Sequence, residues 1–183
     1  MLSTLHHLRK AQRMIRKIKR ESRIKINLGC GDDFLKGYLN CDRYNNCADI
    51  SLDMHELPFL DESIDLIETH HALEHLPMEK ADKAISECYR VLKHKGHLII
   101  SVPNLEECLK LLLRKSSKNK LDHIIKMIYG SQENEGMFHR CGFTPQILSQ
   151  LLELTGFKIL LLKDGIPKRP TPSFLCIAGK ATK

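Results

Sequence analysis

Ile24-Lys25-Ile26-Asn27-Leu28-Gly29-Cys30-Gly31-Asp32 is the stretch on which the fold turns. A short apolar-rich run ending in two glycines reads as a buried strand whose backbone turns sharply at its carboxyl end. Glycines there let the main chain pass close to a bound molecule at the edge of a sheet. The plainer alternative is a tight turn with no ligand. A dinucleotide fingerprint, G-x-G-x-x-G, needs a third glycine where Phe34 stands, and the next glycine is Gly37. A pyrophosphate site, and with it a nicotinamide oxidoreductase, is therefore disfavoured.

Downstream, a second strand ends at Cys41-Asp42 and a third, around 48–52, ends at Asp53. A fourth spans Ile64 to Thr69, followed by a helix from Met78 to about Leu92. Lys95-Gly96 is a turn before a fifth strand, His97 to Val102, closed by Pro103-Asn104. Residues 105–128 are helical in pattern apart from the polar stretch 115–120, and a polar loop covers 130–142. Thr144 followed by Pro145 is a helix start, with the helix running to about Leu154. Two strands follow, 157–163 and 173–178. Strands alternating with helices predict a mostly parallel sheet covered on both faces. The last two strands, with no helix between them, should pair antiparallel. Only ten residues separate Gly31 from Asp42. The first crossover should therefore be a loop or a single helical turn.

Upstream, Leu5, Leu8, Ala11, Ile15 and Ile18 recur at helical spacing over residues 3–22, with basic residues on the other faces. The division expected is a basic amphipathic helix, 1–22, ahead of one domain, 23–183. The chain has 183 residues, 42% hydrophobic and 28% charged, as a soluble globular domain does. Residues 1–25 hold nine Lys/Arg against the single acid Glu21, so the whole net charge of +7 sits in the leader and the body is near neutral. Such a body does not resemble a nucleic-acid surface. No apolar run reaches the roughly 18 residues of a membrane span, and no secretory cleavage pattern follows the basic start. The seven cysteines are scattered, with no C-x-x-C, and read as reduced thiols of a cytoplasmic protein.

Three sheet-edge positions follow one another: Gly29/Gly31, Asp42 and Asp53. Asp42 is placed to accept hydrogens from a ribose, and the acid of Asp53-Met54-His55-Glu56-Leu57-Pro58-Phe59 to accept from an adenine amino group. Each alone is also an ordinary strand-end Asp. Together with Asp61-Glu62-Ser63-Ile64-Asp65-Leu66-Ile67, Glu74-His75, Arg90-Val91-Leu92-Lys93-His94-Lys95-Gly96, Ser101-Val102-Pro103-Asn104, Gly142-Phe143-Thr144 and Leu154-Thr155-Gly156-Phe157, the ordered set resembles the class I S-adenosylmethionine-dependent methyltransferase superfamily, in the branch that includes the quinone-biosynthesis type. The likeness covers about residues 24–180. It implies an α/β, Rossmann-like sheet of seven strands with an antiparallel last strand and helices on both faces. It implies S-adenosylmethionine as cofactor and S-adenosylhomocysteine as product. By position, Leu28, Gly29, Cys30 and Gly31 would meet the methionine portion, Asp42 the ribose, and Asp53 with Met54 the adenine. His70 and His71 would lie close to the sulfonium. Ile64 stands where the family usually has Phe.

A hydroxyl acceptor would benefit from a histidine base; His71, His75 and His139 are the candidates, with Glu74 beside them. Glu74 and His75 have a plainer reading as anchors of the following helix, and His139 as a solvated loop residue. His70, His71 and His75 could imitate a metal site, but no acidic partner set is evident and no metal is expected. The place after the fourth strand reads Thr69-His70-His71-Ala72 and not an amino-methylating D/N-P-P-Y/F motif. No Pro-Cys exists for cytosine-C5 chemistry. Expected, then, is O-methylation of a small molecule or of a sugar from a surface polysaccharide precursor. The alternatives are an RNA methyltransferase recruited by the basic helix, or a non-catalytic scaffold of the same fold. The leader itself, residues 3–22, could pack on the domain, join two copies or rest on an anionic membrane.

Overall fold

The computed structural model describes residues 23–114, 118–166 and 169–180. The helix expected over residues 3–22 lies outside them. Seven strands form one sheet: β1 Lys25–Leu28, β2 Leu39–Asp42, β3 Ile50–Ser51, β4 Ile64–His70, β5 Leu92–Pro103, β6 Phe157–Ile166 and β7 Arg169–Lys180. Their spatial order is β3-β2-β1-β4-β5-β7-β6. β1 to β5 pair in parallel, and β7 runs antiparallel to both β5 and β6. Four helices accompany the sheet: α1 Met78–Val91, α2 Leu105–Leu113, α3 Lys118–Tyr129 and α4 Pro145–Thr155. The Rossmann-like architecture is the one that the alternating pattern predicts.

The core follows from the period-2 pattern of the strands. Ile26, Ile67, Leu98 and Ala178 stand side by side across four strands, and all are buried. Against the sheet, α1 buries Ala81, Ala84, Ile85, Cys88 and Val91, a stripe at three- and four-residue spacing, and α4 buries Leu148 and Leu152. Each buried aliphatic side chain stabilises the fold by about 1.5–3 kcal/mol. The start of α4 is as read: the Thr144 hydroxyl accepts from Ile147 N, Pro145 opens the helix, and Gly156 ends it with φ +106°.

The first crossover has no helix; residues 29–38 hold only turns. Side-chain amides do the work of backbone pairing there. Asn27 Nδ2 donates to Asp33 O (2.7 Å) and to Asn40 Oδ1 (2.9 Å), and Leu35 N donates to the same Asn40 oxygen (2.8 Å). Both asparagines are buried, so their polar atoms must find partners inside the protein.

Two strand starts differ most from the sequence reading. β5 starts at Leu92, which pairs with Ile64 before a shift in register; Lys95, at φ +64°, makes the turn that was expected. The Pro-rich segment read as a turn belongs to β7 from Arg169 on. Pairing with β5 begins only at Ser173, so the preceding residues have one neighbouring strand and proline's missing donor is tolerated.

Candidate active site

The carboxyl ends of β1 to β4 open into a cavity of about 540 Å³, the size at which small-molecule sites occur. Its floor is the turn after β1. Gly29 N and Cys30 N donate to Cys41 O at 2.8 and 3.0 Å, which locks this turn to the end of β2. The two glycines serve different ends. Gly29 has φ +70°, and a Cβ there would fall 2.4 Å from Ala72 Cβ. Gly31 has φ +49°, and a Cβ there would meet nothing within 4 Å. Gly29 is thus required by packing, while Gly31 keeps the cavity open. Leu28 and Cys30 are buried, and only their backbone is at the turn. Burial, with the Asp42 charge adding to it, pushes the Cys30 thiol up to about 11.

Asp42 ties the floor to the wall. Its Oδ2 accepts from Gly31 N (2.9 Å), and its Oδ1 accepts from Tyr44 N (2.7 Å) and Asn45 N (3.0 Å). A carboxylate offers about four acceptor positions. Three are already used, so room remains for one further donor. Asn45 Nδ2 returns to Gly31 O at 2.7 Å. Asp53 and Met54 line the next side of the cavity, with the Arg43 guanidinium paired to the Asp53 carboxylate. The loop that carries them is pinned to α1. Leu57 N donates to Glu87 Oε2 (2.8 Å), and Arg90 donates to Leu57 O (3.0 Å) and Phe59 O (2.9 Å). The Arg90 side chain also holds the Glu87 carboxyl below the usual carboxylate range, against the desolvation that opposes it.

The histidines divide. His70 points away from the cavity: Nδ1 bonds Ser101 Oγ (2.8 Å) and Nε2 pairs with Glu68 (3.1 Å). His71 lines the cavity with φ +53°, an uncommon backbone state for a residue with a side chain. Its Nδ1 stands 3.3 Å from Glu74 Oε1 and its Nε2 3.2 Å from Ser173 Oγ. His75 also lines the cavity. His139 stands behind His75, the two rings edge to face at 4.7 Å between centroids. Its Nε2 is 4.0 Å from Glu74 Oε1. Burial lowers the His139 pKa; Glu74 acts against that shift and His75 with it. Glu74 itself is 1% exposed. Residues far apart in sequence meet here because Arg140 N and Cys141 N both donate to Glu74 O, at 2.8 and 3.2 Å.

Residues 31–100, which hold most of these groups, match the family model described as a methyltransferase domain. Over that stretch the chain is similar to methyltransferase domains. No curated protein matches the chain in sequence. Solved structures share its fold. A SAM-dependent methyltransferase from Methanosarcina mazei is 20% identical, with 93% of this chain and 98% of that one covered and a TM-score of 0.63. One from Archaeoglobus fulgidus is 18% identical over 94% and 93% of the two chains, with a TM-score of 0.62. The 1,6-didemethyltoxoflavin-N1-methyltransferase of Burkholderia thailandensis, solved with its acceptor and S-adenosylhomocysteine, is 14% identical over 96% and 79%, with a TM-score of 0.59.

The cavity has a wall that sequence reasoning did not name. Tyr44, from the loop after β2, and Gly136, from the loop before α4, close over it together. A Cβ on Gly136 would lie 2.8 Å from the Tyr44 ring, so only glycine permits that approach. The Asn134 side chain shapes this turn by accepting from Gly136 N (2.9 Å). The polar loop was visible in the sequence; its fold back onto Tyr44, a non-local contact, had no local signal.

Proposed function

We propose that this protein moves the methyl group of S-adenosylmethionine to a hydroxyl of a small-molecule acceptor, a sugar or a nucleotide-linked sugar of the kind used for surface polysaccharides. The observation that carries the hydroxyl reading is His71. It borders the cavity, it is held in a strained backbone state, and a buried carboxylate faces one of its nitrogens. An amine acceptor would have less need of such a base. The acidic groups at the cavity, Asp32, Asp42, Asp53 and Glu135, argue against a nucleic-acid strand.

The cofactor supplies a sulfonium-bound, electrophilic methyl group. The backbone of Gly29, Cys30 and Gly31 would hold its methionine portion, the remaining acceptor position of Asp42 one ribose hydroxyl, and Asp53 with Met54 its adenine. Gly31 fits this role because its missing side chain leaves open space at the floor. His70 is left out of the assignment, since Ser101 and Glu68 hold its ring elsewhere. Positioning is the main task, with nucleophile and methyl carbon brought in line at roughly 3–3.5 Å. Bound there, the sulfonium would supply the methyl group and accept the electron pair of its carbon–sulfur bond. His71 would take the hydroxyl proton at Nε2, which faces Ser173 Oγ at 3.2 Å until an acceptor displaces that contact, and the Glu74 carboxylate, 3.3 Å from Nδ1, would stabilise the imidazolium.

The test is product formation with a panel of nucleotide sugars, free sugars and phenols, with amines and RNA as controls. Expected is a methyl ether on a hydroxyl substrate. His71→Asn, which tolerates the same backbone state, should lower kcat by about 10²–10⁴-fold while S-adenosylhomocysteine binding stays within a few-fold. Methylation of amines or RNA alone, or an unchanged kcat in the variant, would overturn the reading.

A further inference from the structure

We propose that Glu74, His75 and His139 bind one divalent transition-metal cation at the acceptor end of the cavity. A carboxylate oxygen of Glu74 and one ring nitrogen from each histidine lie within 4.8 Å of one another. The hydrogen bonds decide what those nitrogens can do. His75 Nδ1 lies 3.1 Å from Phe138 O, and His139 Nδ1 lies 2.9 Å from Met127 O. A carbonyl only accepts, so each Nδ1 carries the proton and each Nε2 presents a lone pair. Two imidazole lone pairs and a carboxylate, all acceptors, therefore converge with no donor among them. Glu74 is 1% exposed, and neither of its oxygens has a hydrogen-bond partner among the described residues; His71 Nδ1 stands 3.3 Å from Oε1 without forming one. A buried carboxylate left so is costly unless a cation meets it.

The frame has the form of a metal site. Ring N–H groups bonded to backbone carbonyls orient metal-binding histidines and fix their tautomer. Glu74 and His75 come from the 3-10 turn Leu73–His75 and His139 from the loop before α4, joined by the two hydrogen bonds to Glu74 O and by His139 N to Tyr129 O (3.0 Å). Metal–nitrogen bonds of about 2.0–2.1 Å put the ligand atoms of a tetrahedral ion roughly 3.3 Å apart. The ligand atoms, 4.0 Å apart between His139 Nε2 and Glu74 Oε1 and within 4.8 Å of one another overall, must close by up to about 1.5 Å when the ion binds. Two histidines and one carboxylate suit Zn²⁺, Co²⁺, Fe²⁺ or Mn²⁺ and leave coordination positions open. Because His75 borders the cavity, an open position faces the acceptor. There the cation would bind the acceptor oxygen and lower its pKa, so that His71 removes the proton more readily. This last role, and not the binding, rests on the O-methyltransferase reading.

The experiment uses the full chain, stripped with a chelator, dialysed and titrated with Co²⁺ and then Zn²⁺. Expected is saturable one-to-one binding with visible ligand-field bands for Co²⁺ that Zn²⁺ displaces. Glu74→Gln and His139→Gln should weaken binding by more than about 100-fold, beyond what loss of an outer hydrogen-bond partner gives. Should Glu74→Gln fail to fold, His75→Asn at the cavity edge carries the same arm. Absence of saturable binding to the wild type, or full binding by the folded variants, would overturn the site. S-adenosylhomocysteine binding is measured in parallel. Its loss from the wild type, with metal binding intact, would sink the methyltransferase reading and leave the metal site standing.

Discussion

Gly29→Ala is expected to damage the fold before it damages cofactor binding, and the size of the effect follows from the geometry. Gly29 sits at φ +70°, where a side chain costs about 1–2 kcal/mol. The new methyl would stand 2.4 Å from Ala72 Cβ, more than an ångström inside ordinary contact. Overpacking of that kind costs about 1–3 kcal/mol, so the expected loss is about 2–5 kcal/mol. With a urea slope of roughly 2 kcal/mol per molar, the unfolding midpoint should fall by about 1–2.5 M. Ala72→Gly removes the clash and not the backbone strain. In the Gly29→Ala/Ala72→Gly double variant, the two losses should therefore fail to add by about 1–3 kcal/mol. Urea unfolding of the four proteins, followed by circular dichroism, measures this. Losses that add to within about 0.5 kcal/mol would refute the packing role of Gly29.

Gly31→Ala should behave differently, costing about 1–2 kcal/mol of stability for its backbone state but lowering S-adenosylhomocysteine affinity by at least tenfold in calorimetry, since its methyl enters the cavity. Cys47 is the one exposed cysteine among the seven and borders the cavity, while burial raises the pKa of Cys30, Cys88, Cys108, Cys141 and Cys176. In the native protein iodoacetamide should therefore label Cys47 first, and saturating S-adenosylhomocysteine should slow that labelling; mass spectrometry of the labelled protein reads both. Glu87 has its pKa lowered by Arg90 from the ordinary value of 4.5, so its contribution to stability is present above pH 4.5 and is lost as pH falls through the folded-state value. Glu87→Gln should accordingly be less stable than the wild type near neutrality and lose less stability on acidification, as seen in urea midpoints measured from pH 7 down to about pH 3.5.

The succession of strands and helices along the chain, the antiparallel end and the helix-free first crossover were legible because each has a local cause. Apolar runs of strand length, Thr144-Pro145 and ten residues between Gly31 and Asp42 need no tertiary information. That Gly29, Gly31, Asp42 and Asp53 border one cavity was legible for the same reason, since they sit at strand ends. The sequence does not reveal that Asp42 spends three acceptor positions on backbone N–H groups. Those bonds depend on how the turns after β1 and β2 approach each other. The histidine side was only half legible. His71 and His75 are near neighbours in sequence, but their placement beside His139 depends on Gly130. There φ is +81°, and a Cβ would fall 1.9 Å from Met137 O. Nothing in the periodicity of residues 105–128 foretells that approach.

The connection between β5 and α4 carries α2, α3 and the loop that ends at His139, whereas the groups assigned to the cofactor lie on β1 to β3 and the turns after them. The two halves meet at few places, chiefly the Tyr44–Gly136 contact and the bonds to Glu74 O. Mutations can therefore accumulate in the β5–α4 connection without disturbing the glycine turn. Such a division would let the loop that ends at His139 change its side chains while the turn after β1 keeps its shape.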